Sequence, residues 1–269
     1  MSLHTQSIGS GDKLALILHG ILGSGRNWSS FARALSKRCP DWQFLLVDLR
    51  AHGRSPTLSP PHTVTACAGD LRTLTRQRGQ APAAVIGHSF GGKVALAYGR
   101  DFPEGLEQVW ALDSQPGAQP QGMSDSDVVQ VMTALRQVPL PLERREDLMP
   151  QLSAHGLSRE LALWMTTNLT RNPDGPGLVW RFDLEAATAL IADYFRLDLW
   201  PVLERPPHGP HWHLLQAERS ERWTQDDADR IAGLPAWSPV HHHLLPDAGH
   251  WVHVDNPQGL LELLARELG

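Results

Sequence analysis

The chain has 269 residues, 41% of them hydrophobic and 20% charged, and carries a formal net charge of −5. That length suffices for one large α/β domain or two small ones, and mild acidity without a basic tract argues against a nucleic-acid binder. No apolar run approaches the roughly 18 residues of a membrane span, no leader pattern opens the chain, and Cys39 and Cys67 form no spaced framework, so a cytoplasmic protein with reduced thiols is expected.

In chain order, Leu14–Leu18 reads as a strand ending at His19-Gly20, and Asn27–Arg38 as an amphipathic helix with Asn27 as its N-cap. Phe44–Val47 is a second strand, followed by Asp48. Val64–Arg78 reads as a helix, Ala83–Ile86 as a third strand, Phe90–Arg100 as a helix and Gln108–Leu112 as a fourth strand. Strands apolar on both faces and alternating with helices predict a doubly wound, mostly parallel sheet covered on both sides. From 117 to 205 strand-like runs disappear, and helical segments are separated by Pro139-Leu-Pro141, the 172–177 turn and Pro206-Pro207. Strand signals resume at His211–Leu215 and Val240–Leu245, and a last helix, Pro257–Leu268, has Asn256 as N-cap and Pro257 at its first position. The expected organisation is therefore a core in two parts, 1–116 and 206–269, interrupted by a helical cap, 117–205.

Gly87-His88-Ser89-Phe90-Gly91 fits the G-x-S-x-G nucleophile elbow in its required setting, with a strand before and a helix after. A tight strand-to-helix turn lifts the serine hydroxyl above the sheet's C-terminal edge and aims the free N–H groups of the helix start at the same spot. Such a hydroxyl needs a base. His250, in Asp247-Ala-Gly-His-Trp251 between the last strand and the last helix, falls at the same sheet edge. His208, His211, His213 and His241–His243 suggest a metal site only weakly. Period two sends neighbouring strand side chains to opposite faces, and no acidic or Cys partner stands at ligand spacing. A solvated, His-rich sheet end is expected there, with no metal and no cofactor. An oxyanion hole needs two backbone donors, assigned to Phe90 and Ile21, with Leu22 as the alternative to Ile21.

Several segments carry a family resemblance: HGILGSGRNW (19–28), DLRAHGRS (48–55), GHSFGGKVAL (87–96), ALDSQPG (111–117), WRFDLEA (180–186) and DAGHWVHVDNP (247–257). Together they resemble the α/β-hydrolase serine esterases, and more narrowly the bacterial YbfF-type esterases and related abhydrolase-domain proteins. The resemblance implies an α/β-hydrolase fold with a helical cap inserted after its sixth strand, and hydrolysis of acyl esters. Arg50, His52 and Arg54 then belong to a structural loop. Most α/β-hydrolases place the acid after the strand that follows the cap, where this chain offers Glu218 and Glu221. The resembling esterases place it one strand earlier, at Asp113, and carry a serine at the position of Ser220, a second hydrogen-bond partner for the base. Asp113 is the preferred acid and Glu221 the alternative. Ser-Gln after Asp113 and Ala-Glu-Arg before Ser220 depart from the family pattern.

The expectation is a carboxylic-ester hydrolase acting on small-molecule acyl esters or thioesters of short to medium chain. Trp164, Trp180 and Trp200 are candidate pocket walls, with packing inside the cap as the alternative. A carbon–carbon bond hydrolase or perhydrolase would use the same triad, and a ligand-binding receptor would keep the fold with little turnover.

Overall fold

β1 (Thr5–Ile8), β2 (Lys13–Leu18), β3 (Trp42–Val47), β4 (Ala84–His88), β5 (Gln108–Leu112), β8 (His211–Ala217) and β9 (Val240–Leu245) form one sheet, in the order β1-β3-β2-β4-β5-β8-β9. This is a computed structural model, describing residues 2–122 and 126–269. Every neighbouring pair is parallel except β1 with β3. The antiparallel edge strand β1 has no apolar run because only Ile8 is buried in it, and it is the one sheet strand absent from the sequence reading.

The central strands β2 to β5 are buried almost throughout, as strands covered on both faces must be. One face packs against α1 (Ser29–Arg38) and the final helix Pro257–Leu268, through Phe31, Leu35, Leu260 and Leu264. The other packs against α2 (Val64–Arg78) and α3 (Phe90–Asp101), through Cys67, Leu71, Val94 and Tyr98. Helix ends follow local chemistry. The Thr63 side chain caps α2 and Gly79, at φ 68°, terminates it in the left-handed conformation. Asn256 accepts from the Gly259 N–H at 2.9 Å, as its cap position predicts. Asn27 differs. A short 3₁₀ turn, Gly25–Trp28, precedes α1, and the Asn27 carboxamide accepts the Ser24 N–H at 2.7 Å instead of capping the helix.

Between β5 and β8 the chain runs through the helices Asp127–Gln137, Leu148–Ala154, Arg159–Thr166, Leu184–Arg196 and Trp200–Glu204. It also forms a small antiparallel hairpin, β6 (Leu169–Arg171) with β7 (Leu178–Trp180), which corrects the expectation of a strand-free insertion. Three residues are too few for alternation to register in a sequence. This segment shares the core instead of building its own: Val131, Leu135, Leu152, Met165 and Leu190 belong to the same apolar cluster as α2 and α3. Lys93 on α3 fastens it. Its fully buried ammonium donates to the carbonyls of Gly117, Tyr194 and Leu197 at 2.7, 2.7 and 2.8 Å. Among the described residues, no helix is long and apolar enough to cross a membrane.

Candidate active site

Ser89 sits between β4 and α3 with φ 53° and ψ −120°, a conformation rarely open to a residue with a side chain. Strain of this kind costs on the order of 1–3 kcal/mol and persists only where the surroundings impose it. Its neighbours do so. A Cβ on Gly87 would lie 1.9 Å from the Gly91 carbonyl oxygen, and one on Gly91 would lie 2.6 Å from the His19 oxygen. Glycine is therefore required by backbone crossing backbone. The Ser89 N–H is held by the Leu112 carbonyl at 3.0 Å, which ties the elbow to the end of β5.

The Ser89 Oγ lies 3.0 Å from His250 Nε2, and His250 Nδ1 lies 2.7 Å from Asp113 Oδ2. Asp113 is fully buried directly after β5, with φ 42°. Three further donors converge on its carboxylate. Ser220 Oγ donates to Oδ2 at 2.8 Å, while the Ala217 N–H and the Trp223 indole N–H donate to Oδ1, each at 3.1 Å. A carboxylate so placed accepts at every position, so the imidazole Nδ1 carries the proton and Nε2 presents its lone pair to the serine. Glu221 is exposed, and among the described residues no hydrogen bond or ion pair links it to the ring. Ser220 therefore touches the acid and not the base. Ala217 and Trp223 were absent from the sequence reading. Trp223 stands three residues beyond Ser220, and no local pattern marks an indole as a carboxylate donor.

Burial pushes the His250 imidazole below its ordinary pKa, against the opposing effect of its hydrogen bond to Asp113, so the ring is neutral at neutral pH. His88, the first variable residue of the elbow, is buried beside it, and its Nε2–H donates to the His250 carbonyl at 2.7 Å. This bond fixes the loop that carries the base.

The other wall of the elbow is the loop after β2. Ile21 lines the cavity above Ser89, and among the described residues no hydrogen bond occupies its N–H. The Leu22 N–H is already given to His52 Nε2 at 3.1 Å. His52 donates from Nδ1 to the Arg50 carbonyl at 2.9 Å, and His19 accepts the Leu49 N–H at 3.0 Å. Both imidazoles are buried and neutral, with His52 pushed down to about 3 by burial and by His19. Arg50 grips Asp70 with two bonds of 2.6 and 2.8 Å and touches no reacting group. Phe90 opens α3, where a first-turn N–H has no partner along the helix.

Above Ser89 lies a cavity of about 560 Å³. Its walls are largely apolar, from Val128, Val131, Ile191, Tyr194 and Phe195 of the 117–205 segment, with Arg222 at its edge. Trp164 lines it and packs against Trp251 at 5.0 Å. Trp180 and Trp200 do not, which corrects their candidacy as pocket walls. Trp180 stacks on Phe182 at 5.4 Å, and Trp200 is buried with its indole N–H donating to Asp227 at 3.2 Å. Both are packing residues.

The histidines of β8 and β9 are mostly a solvated sheet end, as expected: His211, His241 and His242 are exposed and His243 is half-buried. His211, His213, His241 and His243 share one face, paired Nδ1 to Nε2 at 2.9 and 3.0 Å across the strands. His213 is buried and stacks on Trp110 at 3.9 Å. His242 points to the other face, against Gln216. Among the described residues, no group of three or more His, Cys, Asp or Glu is arranged to hold a metal ion.

Residues 15–257 match the α/β hydrolase fold family. Curated relatives include the sn-1-specific diacylglycerol lipase ABHD11 of Danio rerio, 30% identical over 93% of this chain and 76% of the relative. Esterase YbfF of Escherichia coli is 26% identical over 94% of this chain and 92% of its own. Among solved structures, a marine microorganism esterase superposes with a TM-score of 0.85 at 26% identity, covering 98% of both chains. With the elbow at the C-terminal end of β4 and a match spanning nearly the whole sequence, the chain belongs to the α/β hydrolase fold family.

Proposed function

We propose that the protein is a carboxylic-ester hydrolase of the esterase and lipase type, acting through Ser89, His250 and Asp113. The observation that carries this reading is the unbroken hydrogen-bonded line from the Ser89 hydroxyl through His250 to the buried Asp113 carboxylate. It lies at the floor of an apolar cavity. The names of the relatives, a diacylglycerol lipase and esterases, support the same class.

In this mechanism the Ser89 oxygen attacks the acyl carbonyl while His250 Nε2 takes its proton. The carbonyl oxygen becomes an oxyanion, held by the N–H groups of Phe90 and Ile21, each worth roughly 3–4 kcal/mol in comparable sites. Asp113 holds the imidazole in the productive tautomer and stabilises the imidazolium. His250 then protonates the departing alcohol or thiol, leaving an acyl-serine. Water enters, gives its proton to His250 and attacks the acyl carbon, and the serine leaves with that proton. A cavity of about 560 Å³ suits short to medium acyl groups, and the 117–205 segment acts as the cap that excludes water.

The test is Ser89→Ala. This variant should lose hydrolysis of p-nitrophenyl butyrate and covalent labelling by a fluorophosphonate, with thermal stability retained. Wild-type activity in the variant refutes the assignment.

A further inference from the structure

A second cavity of about 570 Å³ adjoins the first, and its chemistry is different. Four arginines line it: Arg26 from the turn before α1, Arg54 from the loop after β3, Arg145 from the 117–205 segment, and Arg181 just beyond β7. Core and insertion thus contribute two guanidinium groups each. Among the described residues, none of the four belongs to an ion pair, whereas Arg50, Arg100, Arg136, Arg144, Arg196, Arg230 and Arg266 all do.

The one carboxylate lining this cavity is already committed. Asp48 is buried and accepts the Gly25 N–H at 2.7 Å and the Arg54 N–H at 2.8 Å, with His4 at 3.1 Å. Arg145 and Arg181 are oriented by the Leu169 carbonyl, at 3.1 and 3.5 Å. Among the described residues, Arg26 and Arg54 make no side-chain hydrogen bond, so their forks are open to a ligand. Burial, reinforced by the charges of Arg26, Arg54 and Arg145, holds the Arg181 guanidinium below its ordinary range, so the four charges repel one another across the space. The Asp48 charge opposes this repulsion, and among the described residues no carboxylate forms an ion pair with any of the four.

We propose that this cavity binds a phosphate-bearing ligand, its phosphoryl oxygens taken by Arg26, Arg54, Arg145 and Arg181. Guanidinium forks match phosphoryl oxygens bidentately. With Asp48 set against the four guanidinium groups, a single ligand carboxylate would leave two charges unneutralised, so a multiply charged anion fits the site. Asn27 and Trp164 line both cavities, so the phosphate is either part of a substrate whose acyl end reaches Ser89 or a separate small ligand.

Binding is measured by titration calorimetry of pyrophosphate into the Ser89→Ala variant at low ionic strength, so the result does not depend on turnover. Saturable binding is expected, weakened at least about tenfold for each guanidinium removed in Arg26→Gln and Arg54→Gln. Arg78→Gln, at the far end of α2, should bind as before. Both tested side chains are exposed and, among the described residues, make no hydrogen bond, so folding is preserved and is checked by melting temperature. No saturable binding, or binding unchanged in the double variant, overturns the proposal. The source of the phosphate is read in the wild type. Competition by pyrophosphate against a phosphate-bearing ester, but not against p-nitrophenyl butyrate, assigns it to the substrate. Binding without effect on either hydrolysis assigns it to a separate ligand.

Discussion

Asp113→Asn is the most informative single substitution, because the donors around the carboxylate dictate how the amide must sit. Oδ1 faces the Ala217 N–H and the Trp223 indole N–H, which can only donate. Turning the new amide nitrogen toward them would bury two unpaired donors, costing about 1–3 kcal/mol each. The nitrogen therefore takes the Oδ2 position, facing Ser220, whose hydroxyl can rotate to accept, and His250 Nδ1. There it donates to Nδ1 and forces the imidazole proton onto Nε2, pointing at the serine. The base is lost while packing is kept. A wrong tautomer of this kind costs about 10⁴-fold in kcat, or about 5 kcal/mol of barrier. The assay is p-nitrophenyl butyrate hydrolysis beside a melting curve, with Glu221→Gln in parallel. Asp113→Asn should fall by about four orders of magnitude with little change in KM, and Glu221→Gln should stay near wild type. A near-normal Asp113→Asn with an inactive Glu221→Gln would refute the reasoning.

Three further outcomes are expected. Because burial lowers the His250 pKa, the active neutral base is present above that value, and kcat/KM should rise along a limb lying below pH 6.5 to a plateau at neutrality; a limb above 6.5 contradicts the assignment. His52→Ala removes the acceptor of the Leu22 N–H next to Ile21, so melting should drop by the equivalent of about 1–3 kcal/mol and kcat should fall more than KM changes. His213 and His243 are pushed down by burial to about 2 and about 4, below the 6.5 of an unfolded chain. Acid then protonates the unfolded chain first: their stabilisation is complete above pH 6.5 and is lost as pH falls from there, toward about 4 for His243 and about 2 for His213. The melting temperature should decline over that window, less steeply in His213→Phe, which keeps a ring on Trp110; an equally steep decline in that variant refutes the cluster's part in it.

What the chain's own order determined is local. Strands buried on both faces write themselves as continuous apolar runs, which is why β2 to β5 and most of β8 were legible while the edge strand β1 and the three-residue strands of the small hairpin were not. The elbow was legible because its glycines answer a clash between residues four apart, Gly87 against Gly91. The acid was a different problem. Asp113 and Glu221 both follow sheet strands, and choosing between them takes the pairing of β5 with β8, which seats Asp113 among Ala217, Ser220, Trp223 and His250. The second backbone donor was equally undecidable, since the Leu22 N–H is consumed by a histidine thirty residues away. Tryptophan spacing could not separate Trp164, at the cavity, from Trp180 and Trp200, inside the packing. Nor could it foresee four arginines meeting, because they come from segments as far apart as 26 and 181. Backbone periodicity and steric demand act between near neighbours and are written in sequence. Which polar groups share one buried space depends on how distant segments dock, and only the folded chain decides that.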